Sequence, residues 1–176
     1  MAASDEAVLV TGLYGSGKSS LVAEMAERLE MADVSFGAID VDWLTWYHLP
    51  GEAPGATVDL RSQNLSDVAN RYLNAGVQRL LLAEAVRRDE DVAAIRQLLP
   101  CPVRVVLLDL SLEVIESRLS KDPTTGRAHD LRVARDWAGR GLGKVTADLV
   151  LDGEAPLRES AVRVLRWLRW FPEGIS

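Results

Sequence analysis

The stretch GLYGSGKSS, Gly12 to Ser20, stands directly after the apolar run Ala7-Val8-Leu9-Val10. It satisfies G-x-x-x-x-G-K-[ST], with Gly12, Gly17, Lys18 and Ser19 at the four defining positions. The spacing has a physical cause. Successive backbone N–H groups must curl round phosphate oxygens, and glycine lets the chain come that close. In such a loop Gly12, Leu13, Tyr14, Gly15, Ser16, Gly17, Lys18, Ser19 and Ser20 surround the phosphates. Lys18 reaches the β- and γ-phosphates and the Ser19 hydroxyl ligates Mg2+. A helix starting at about Lys18 adds the positive end of its dipole. The alternative is a glycine-rich turn that binds nothing, but the apolar strand before it and the amphipathic helix Leu21 to Leu29 after it supply the context the motif needs. The expected ligand is a nucleoside triphosphate.

Strand-like and helix-like segments alternate from end to end. Ala7 to Thr11 reads as the first strand and Lys18 to Glu30 as the first helix. Val34 to Asp40 is a second strand and Asp42 to His48 a short helix. Residues Leu49 to Asn64, with Pro50, Gly51, Pro54 and Gly55, read as an irregular excursion. Leu65 to Ala75 has helical spacing and closes on Gly76. Val77 to Ala83 holds the run Leu80-Leu81-Leu82, the mark of a strand buried on both faces. Asp89 to Leu99 reads as a helix ending at Pro100, Val103 to Leu108 as a strand, and Ser111 to Ser120 as a helix capped by Ser111. The polar stretch KDPTTGRAHD, Lys121 to Asp130, precedes a helix from Leu131 to Ala138. ADLVLD is the last strand, and Pro156 to about Trp170 the last helix, with Pro156 in its first turn. Such alternation implies an α/β fold: a parallel sheet between two layers of helices, with a ligand crevice beyond the carboxyl ends of the strands.

At 176 residues the chain suits one domain, 1–176, with a sizeable core. A formal net charge of −6 argues against a general nucleic-acid binder. Cys101 is the single cysteine, which excludes an intrachain disulfide and points to a reducing compartment. The opening MAASDEA lacks the pattern of a secretory signal, and no run reaches the length of a membrane span. The expectation is a cytoplasmic protein whose partners are a nucleoside triphosphate and a small-molecule acceptor, with no nucleic acid and no membrane.

The second strand ends in Ile39-Asp40-Val41-Asp42-Trp43. If the backbone stays extended, Asp40 and Asp42 point the same way at the carboxyl edge of the sheet. One carboxylate is then placed to orient Mg2+ through water, the other to accept the proton of an attacking hydroxyl. The plainer alternatives are a helix cap for Asp42 and a turn residue for Asp40. Glu84 and Asp109 each end an apolar strand, where an acid of the Walker B kind would stand. Trp43 and Trp46 share a helical face, either as core or as an aromatic wall for a ring-bearing acceptor. Arg61, Arg87 and Arg88 suit an anionic acceptor.

A phosphate loop, a D-x-D at the end of the second strand and a polar segment bearing Arg127 resemble the small-molecule kinases of the nucleoside-monophosphate-kinase-like group. That group includes shikimate, gluconate and adenylylsulfate kinases and chloramphenicol phosphotransferase. The likeness covers nearly the whole chain in element order and is specific at the phosphate loop. It implies a five-stranded parallel sheet in the order 2-3-1-4-5, ATP and Mg2+ as co-substrates, transfer to a hydroxyl, and a lid over about 121–130. It makes Asp40 the acid near Mg2+ and Asp42 the acid on the acceptor hydroxyl. It favours Glu84 over Asp109 beside the metal, for a metal set of Ser19, Asp40 and Glu84. Arg118 falls at the lid base and Arg127 in the lid, both as clamps on the transferring phosphoryl group. Asp42, Trp43, Trp46, Arg61 and Arg87 form the implied acceptor side. Gly139 to Lys144 resembles a loop that touches the base. A shikimate-type glycine cluster after the third strand is replaced here by Leu82-Ala83-Glu84-Ala85-Val86-Arg87-Arg88, which argues against shikimate itself. The competing class is a nucleotide-binding switch with slow hydrolysis; its guanine motif N-K-x-D does not occur in the sequence.

Overall fold

Ala7, Val8, Leu9 and Val10 are all fully buried, because strand β1 (Glu6–Thr11) lies at the centre of a sheet with helices on both sides. A computed structural model describes residues 5–45, 56–121 and 124–171. Along them run α1 (Lys18–Met31), β2 (Gly37–Asp40), a 3-10 turn (Val41–Thr45), α2 (Ala56–Asn74), β3 (Arg79–Ala83) and α3 (Asp89–Leu98). Then follow β4 (Val103–Asp109), α4 (Leu112–Ser120), α5 (Thr125–Gly139), β5 (Leu149–Asp152) and α6 (Leu157–Leu168). The five strands lie in the order β2-β3-β1-β4-β5, with every neighbouring pair parallel.

Side chains alternate across the sheet. Ala7, Leu9, Leu80 and Leu82 join a core closed by Leu65 and Ala69 of α2 and Val92 and Ile95 of α3. Val8, Val10, Leu81 and Ala83 join the opposite core, closed by Leu21, Met25 and Leu29 of α1 and Val164 and Leu165 of α6. Burying each leucine contributes about 1.5–3 kcal/mol, so β1 is a firm base for the loop that follows it. Helices α4 and α5 pack on each other through Ile115, Leu119 and Ala134, and Leu13 and Tyr14 of that loop sit against them. No helix among the described residues is long and apolar enough to cross a membrane.

Several boundaries differ from the sequence reading. Strand β2 starts at Gly37 rather than Val34, because Val34 closes α1: its amide donates to Leu29 O at 2.9 Å, after Asp33 turns at φ +54°. Helix α2 starts at Ala56, so much of the expected irregular excursion is helical; the Pro and Gly residues that suggested a loop lie at 50–55, outside the described residues. Helix α5 starts at Thr125 rather than Leu131, because the Thr124 hydroxyl accepts from the Arg127 amide at 3.3 Å and caps it. Pro156 is the N-cap of α6 rather than its first helical residue. The cap at Ser111 is as expected, accepting from the Val114 amide.

Candidate active site

The loop after β1 is shaped by what it cannot accommodate. Gly12, Gly15 and Gly17 adopt φ of +144°, +82° and +102°. A Cβ on Gly12 would stand 2.7 Å from the Leu108 carbonyl oxygen, and one on Gly15 2.9 Å from the Leu119 side chain. The first backbone bond of α1 runs from Leu21 N to Gly17 O at 2.9 Å. The amides of Lys18, Ser19 and Ser20 therefore precede any helical acceptor and form a positive N-terminus. The Lys18 ammonium donates to Leu13 O at 3.0 Å and lies 5.2 Å from the centre of the Tyr14 ring. Burial pulls its pKa down to about 8, opposed by the carboxylates of Asp42, Asp40, Asp130 and Glu84. Burial likewise pushes the Tyr14 phenol up to about 12, so it stays a neutral hydroxyl.

At the end of β2 the Ser19 hydroxyl donates to Asp40 Oδ2 at 2.6 Å, and the Asp42 amide donates to Asp40 Oδ1 at 3.2 Å. The chain turns at Val41, so Asp40 and Asp42 do not project in parallel from an extended strand as the D-x-D spacing suggested. Both nevertheless line one crevice of about 680 Å³, together with Lys18, Ser19, Trp43 and Arg127. Trp43 is 66% exposed, so it is not core. Burial raises the Asp42 carboxyl above the usual carboxylate range, with Arg61 and Lys18 opposing.

Arg61 of α2 ties two acids together. Its Nη2 donates to Asp42 Oδ1 at 3.1 Å and stands 2.7 Å from Glu84 Oε1. Glu84 is buried at the end of β3, and that burial lifts its pKa to about 7 although Arg61 pulls it down. Ser19 and Asp40 of the expected metal set are thus joined, while Glu84 is held by Arg61. Among the described residues no group of three acidic, His or Cys side chains gathers round a metal position.

The remaining candidates fall in different places. Arg118 spans the loop and the turn after β5, donating to Ser16 O at 3.3 Å and Gly153 O at 2.9 Å. Arg127 lines the crevice and lies 3.8 Å from Asp130. Arg87 instead lies over the Trp137 ring at 5.5 Å and lines a separate cleft with Asp136 and Arg140. Asp109 lines another cleft, of about 390 Å³, with Leu13 and Gly141 to Lys144. Trp46 lies outside the described residues. The sequence reading did not single out Asp130, a crevice residue; the signal for it was its place one helical turn after Arg127.

The residues fit a nucleotide and a hard cation. The loop is a cradle that a Cβ would fill, Lys18 and the first amides of α1 offer positive charge, and the paired oxygens of Ser19 and Asp40 are hard donors. Mg2+ keeps few protein ligands when nucleotide phosphates supply the rest.

No protein-family model matches the chain, and no curated protein matches it. Solved structures do. The chain is similar to a sugar kinase from Janibacter sp. HTCC2649 (21% identity, TM-score 0.68, covering 94% of this chain and 95% of that one). It is also similar to the Mycobacterium tuberculosis APS kinase (24% identity, TM-score 0.64, 94% and 98% covered). A third is the Aquifex aeolicus shikimate kinase (17% identity, TM-score 0.57, 93% and 96% covered). Across nearly its whole length, what the chain shares with these three kinases is the five-stranded P-loop fold.

Proposed function

We propose that the protein is an ATP- and Mg2+-dependent phosphotransferase acting on a hydroxyl of a small molecule. One observation carries this reading: Lys18, the Ser19–Asp40 pair, Asp42 and the rim residue Arg127 line a single crevice at the carboxyl ends of the strands. The structural neighbours, a sugar kinase, an APS kinase and a shikimate kinase, support it.

Bound nucleotide and Mg2+ supply the phosphoryl group and the metal's charge. Lys18 and the leading amides of α1 hold the phosphates, and Ser19 with Asp40 holds the cation. Asp42 accepts the proton of the acceptor hydroxyl, and burial, by raising its carboxyl, makes it a stronger base than an exposed aspartate. Arg61 fixes where the Asp42 carboxylate stands. Trp43 forms an aromatic wall for the acceptor. A cleft of about 240 Å³ shares Gly17, Ser20 and Arg118 with the crevice and continues to Gly153 and Leu157. It is the natural place for the nucleoside, whereas Gly141 to Lys144 line a different cleft that shares no phosphate-loop residue beyond Leu13.

The test is Mg2+-dependent ADP release, screened against sugars, nucleosides, shikimate-like acids and aminocyclitols. One of these classes should raise the rate. Asp42→Asn should then lower kcat by about 10²–10⁴ with ATP affinity nearly unchanged. ATP consumption that no acceptor stimulates, equal in parent and Asp42→Asn, would leave only a nucleotide-binding protein with slow hydrolysis.

A further inference from the structure

Arg61 stands against the crevice residue Asp42 with its side chain still 28% exposed, where a carboxylate- or phosphate-bearing acceptor would settle if one bound, yet its charge is already taken up within the protein. One nitrogen of its guanidinium meets Asp42 at 3.1 Å and Glu84 at 2.7 Å, and its Nε is buried. Two carboxylates on one cation leave this cluster with a formal charge of −1 at a pH where both are ionised. On the crevice wall itself Arg127 with Asp130, at 3.8 Å, is neutral as a pair. Two other crevice cations belong to the phosphate end: Lys18 on Leu13 O, and Arg118 on the carbonyls of Ser16 and Gly153. Among the described residues, what the acceptor side offers instead is Trp43, an exposed aromatic surface suited to a sugar ring or an ammonium group.

Resting on the phosphotransferase reading above, we propose that the acceptor is a polyhydroxy compound without an anionic group, neutral or amine-bearing, and that Glu84 determines this specificity by occupying Arg61. The exclusion is electrostatic. A further carboxylate at Arg61 would lie against Asp42 and Glu84, and a site rejects a ligand by the repulsion built into it as much as by lacking contacts for it. Glu84 is buried at the end of β3, where it cannot swing into water to make room. The same pairing holds Asp42 in one place, so Arg61 positions the proton acceptor rather than gripping the substrate.

The test uses the full chain at pH 8, above the raised pKa of Glu84, saturated with Mg2+ and a non-hydrolysable ATP analogue. Melting temperature is followed while glucose, glucosamine or gluconate is added; the three probes are neutral, cationic and anionic on a common six-carbon frame. In the parent protein gluconate is expected to give no shift. In Glu84→Gln gluconate is expected to stabilise, with an apparent affinity at least tenfold above the parent's. Asp42→Asn releases the same guanidinium and is read in the same way, which keeps the test decisive if Glu84→Gln fails to fold. A gluconate shift in the parent as large as that of glucosamine overturns the proposal. So does the absence of any gain for gluconate in both variants. Failure of the ATP analogue itself to bind counts instead against the phosphotransferase reading, and the gluconate comparison between parent and variants still decides the charge question.

Discussion

Lys18 is buried as a cation, and that has a measurable consequence for the free protein. Its pKa falls from the ordinary 10.5 to about 8 on folding, chiefly because burial disfavours the charge. Below pH 8 the ammonium is charged in both states and the folded state bears the cost. Between pH 8 and 10.5 the folded state releases the proton first, so stability from this group rises with pH. Lys18→Met is therefore expected to stabilise the nucleotide-free protein at pH 7 by roughly 1–3 kcal/mol, while abolishing stabilisation by ATP. Urea unfolding with and without nucleotide measures both, and a lower midpoint in the variant would contradict the argument. Glu84 has the opposite sign. Its pKa rises from 4.5 to about 7, again chiefly through burial, so the folded state keeps a proton that the unfolded chain has lost. The stability it contributes is complete below pH 4.5 and is lost as pH rises through 7. Urea midpoints should fall between pH 5 and 8 in the parent and fall less in Glu84→Gln; identical slopes would refute it. Lys18 and Ser19 were legible in the sequence because their motif is contiguous and its geometry is set by glycine. The Arg61–Glu84 pair was not, because the two residues come from different elements and nothing local marks either as the other's partner. An arginine read alone looks like an anion site.

Helices declared themselves where an apolar stripe or a cap was local, as with α1, α4 and Ser111, and hid where polar composition overrode the pattern. The segment Lys121 to Asp130 is the clearest case. Pro123, Thr124, Thr125 and Gly126 suggest a break, yet Thr124 is the cap of α5, and the chain from Thr125 onward is helical. From Thr125 onward the expected lid is therefore the first turns of a helix, with Arg127 and Asp130 on its crevice side. A helical N-terminus anchored by one threonine cap, with few buried residues ahead of Leu131, is the kind of element that opens at low cost. We expect residues 124–130 to exchange amide hydrogens quickly in the free protein and to become protected with an ATP analogue and acceptor together. Arg127→Ala should lower kcat, on the order of a thousandfold if it meets the transferring group, and weaken ATP binding far less, because its contact forms on closure. Equal exchange in both states, or normal turnover in Arg127→Ala, would reduce this segment to a surface helix end.

Across the whole molecule the sheet separates chemistry from stability. The order 2-3-1-4-5 follows from the βα alternation together with the family resemblance, and the parallel register puts Asp40 opposite Ala83 and Thr11 opposite Leu107. The carboxyl ends thus hold Asp40, Glu84 and the phosphate loop, all within one crevice or one contact of it. The amino end of β1 holds a different construction. Glu6 accepts from the Trp170 indole at 2.8 Å and meets Arg104 Nε at 2.6 Å, and Arg104 lies 5.2 Å from the Trp167 ring. Trp170 is nearly fully buried beyond the left-handed turn at Arg169, where it pins the end of α6 to the first strand. No local pattern revealed this clamp, since Glu6 and Trp170 lie at opposite ends of the chain and Arg104 far from both. Trp170→Ala removes a large buried ring and should cost about 3–5 kcal/mol. Trp170→Phe keeps most of the packing and loses a hydrogen bond to a carboxylate, so about 1.5–3 kcal/mol is expected. Because the site lies at the other end of the strands, kcat and KM in both variants should match the parent at temperatures where each is folded. Chemical unfolding alongside kinetics separates the two effects. A fall in kcat at full foldedness would show that the two ends of the sheet are coupled, and would overturn this division of labour.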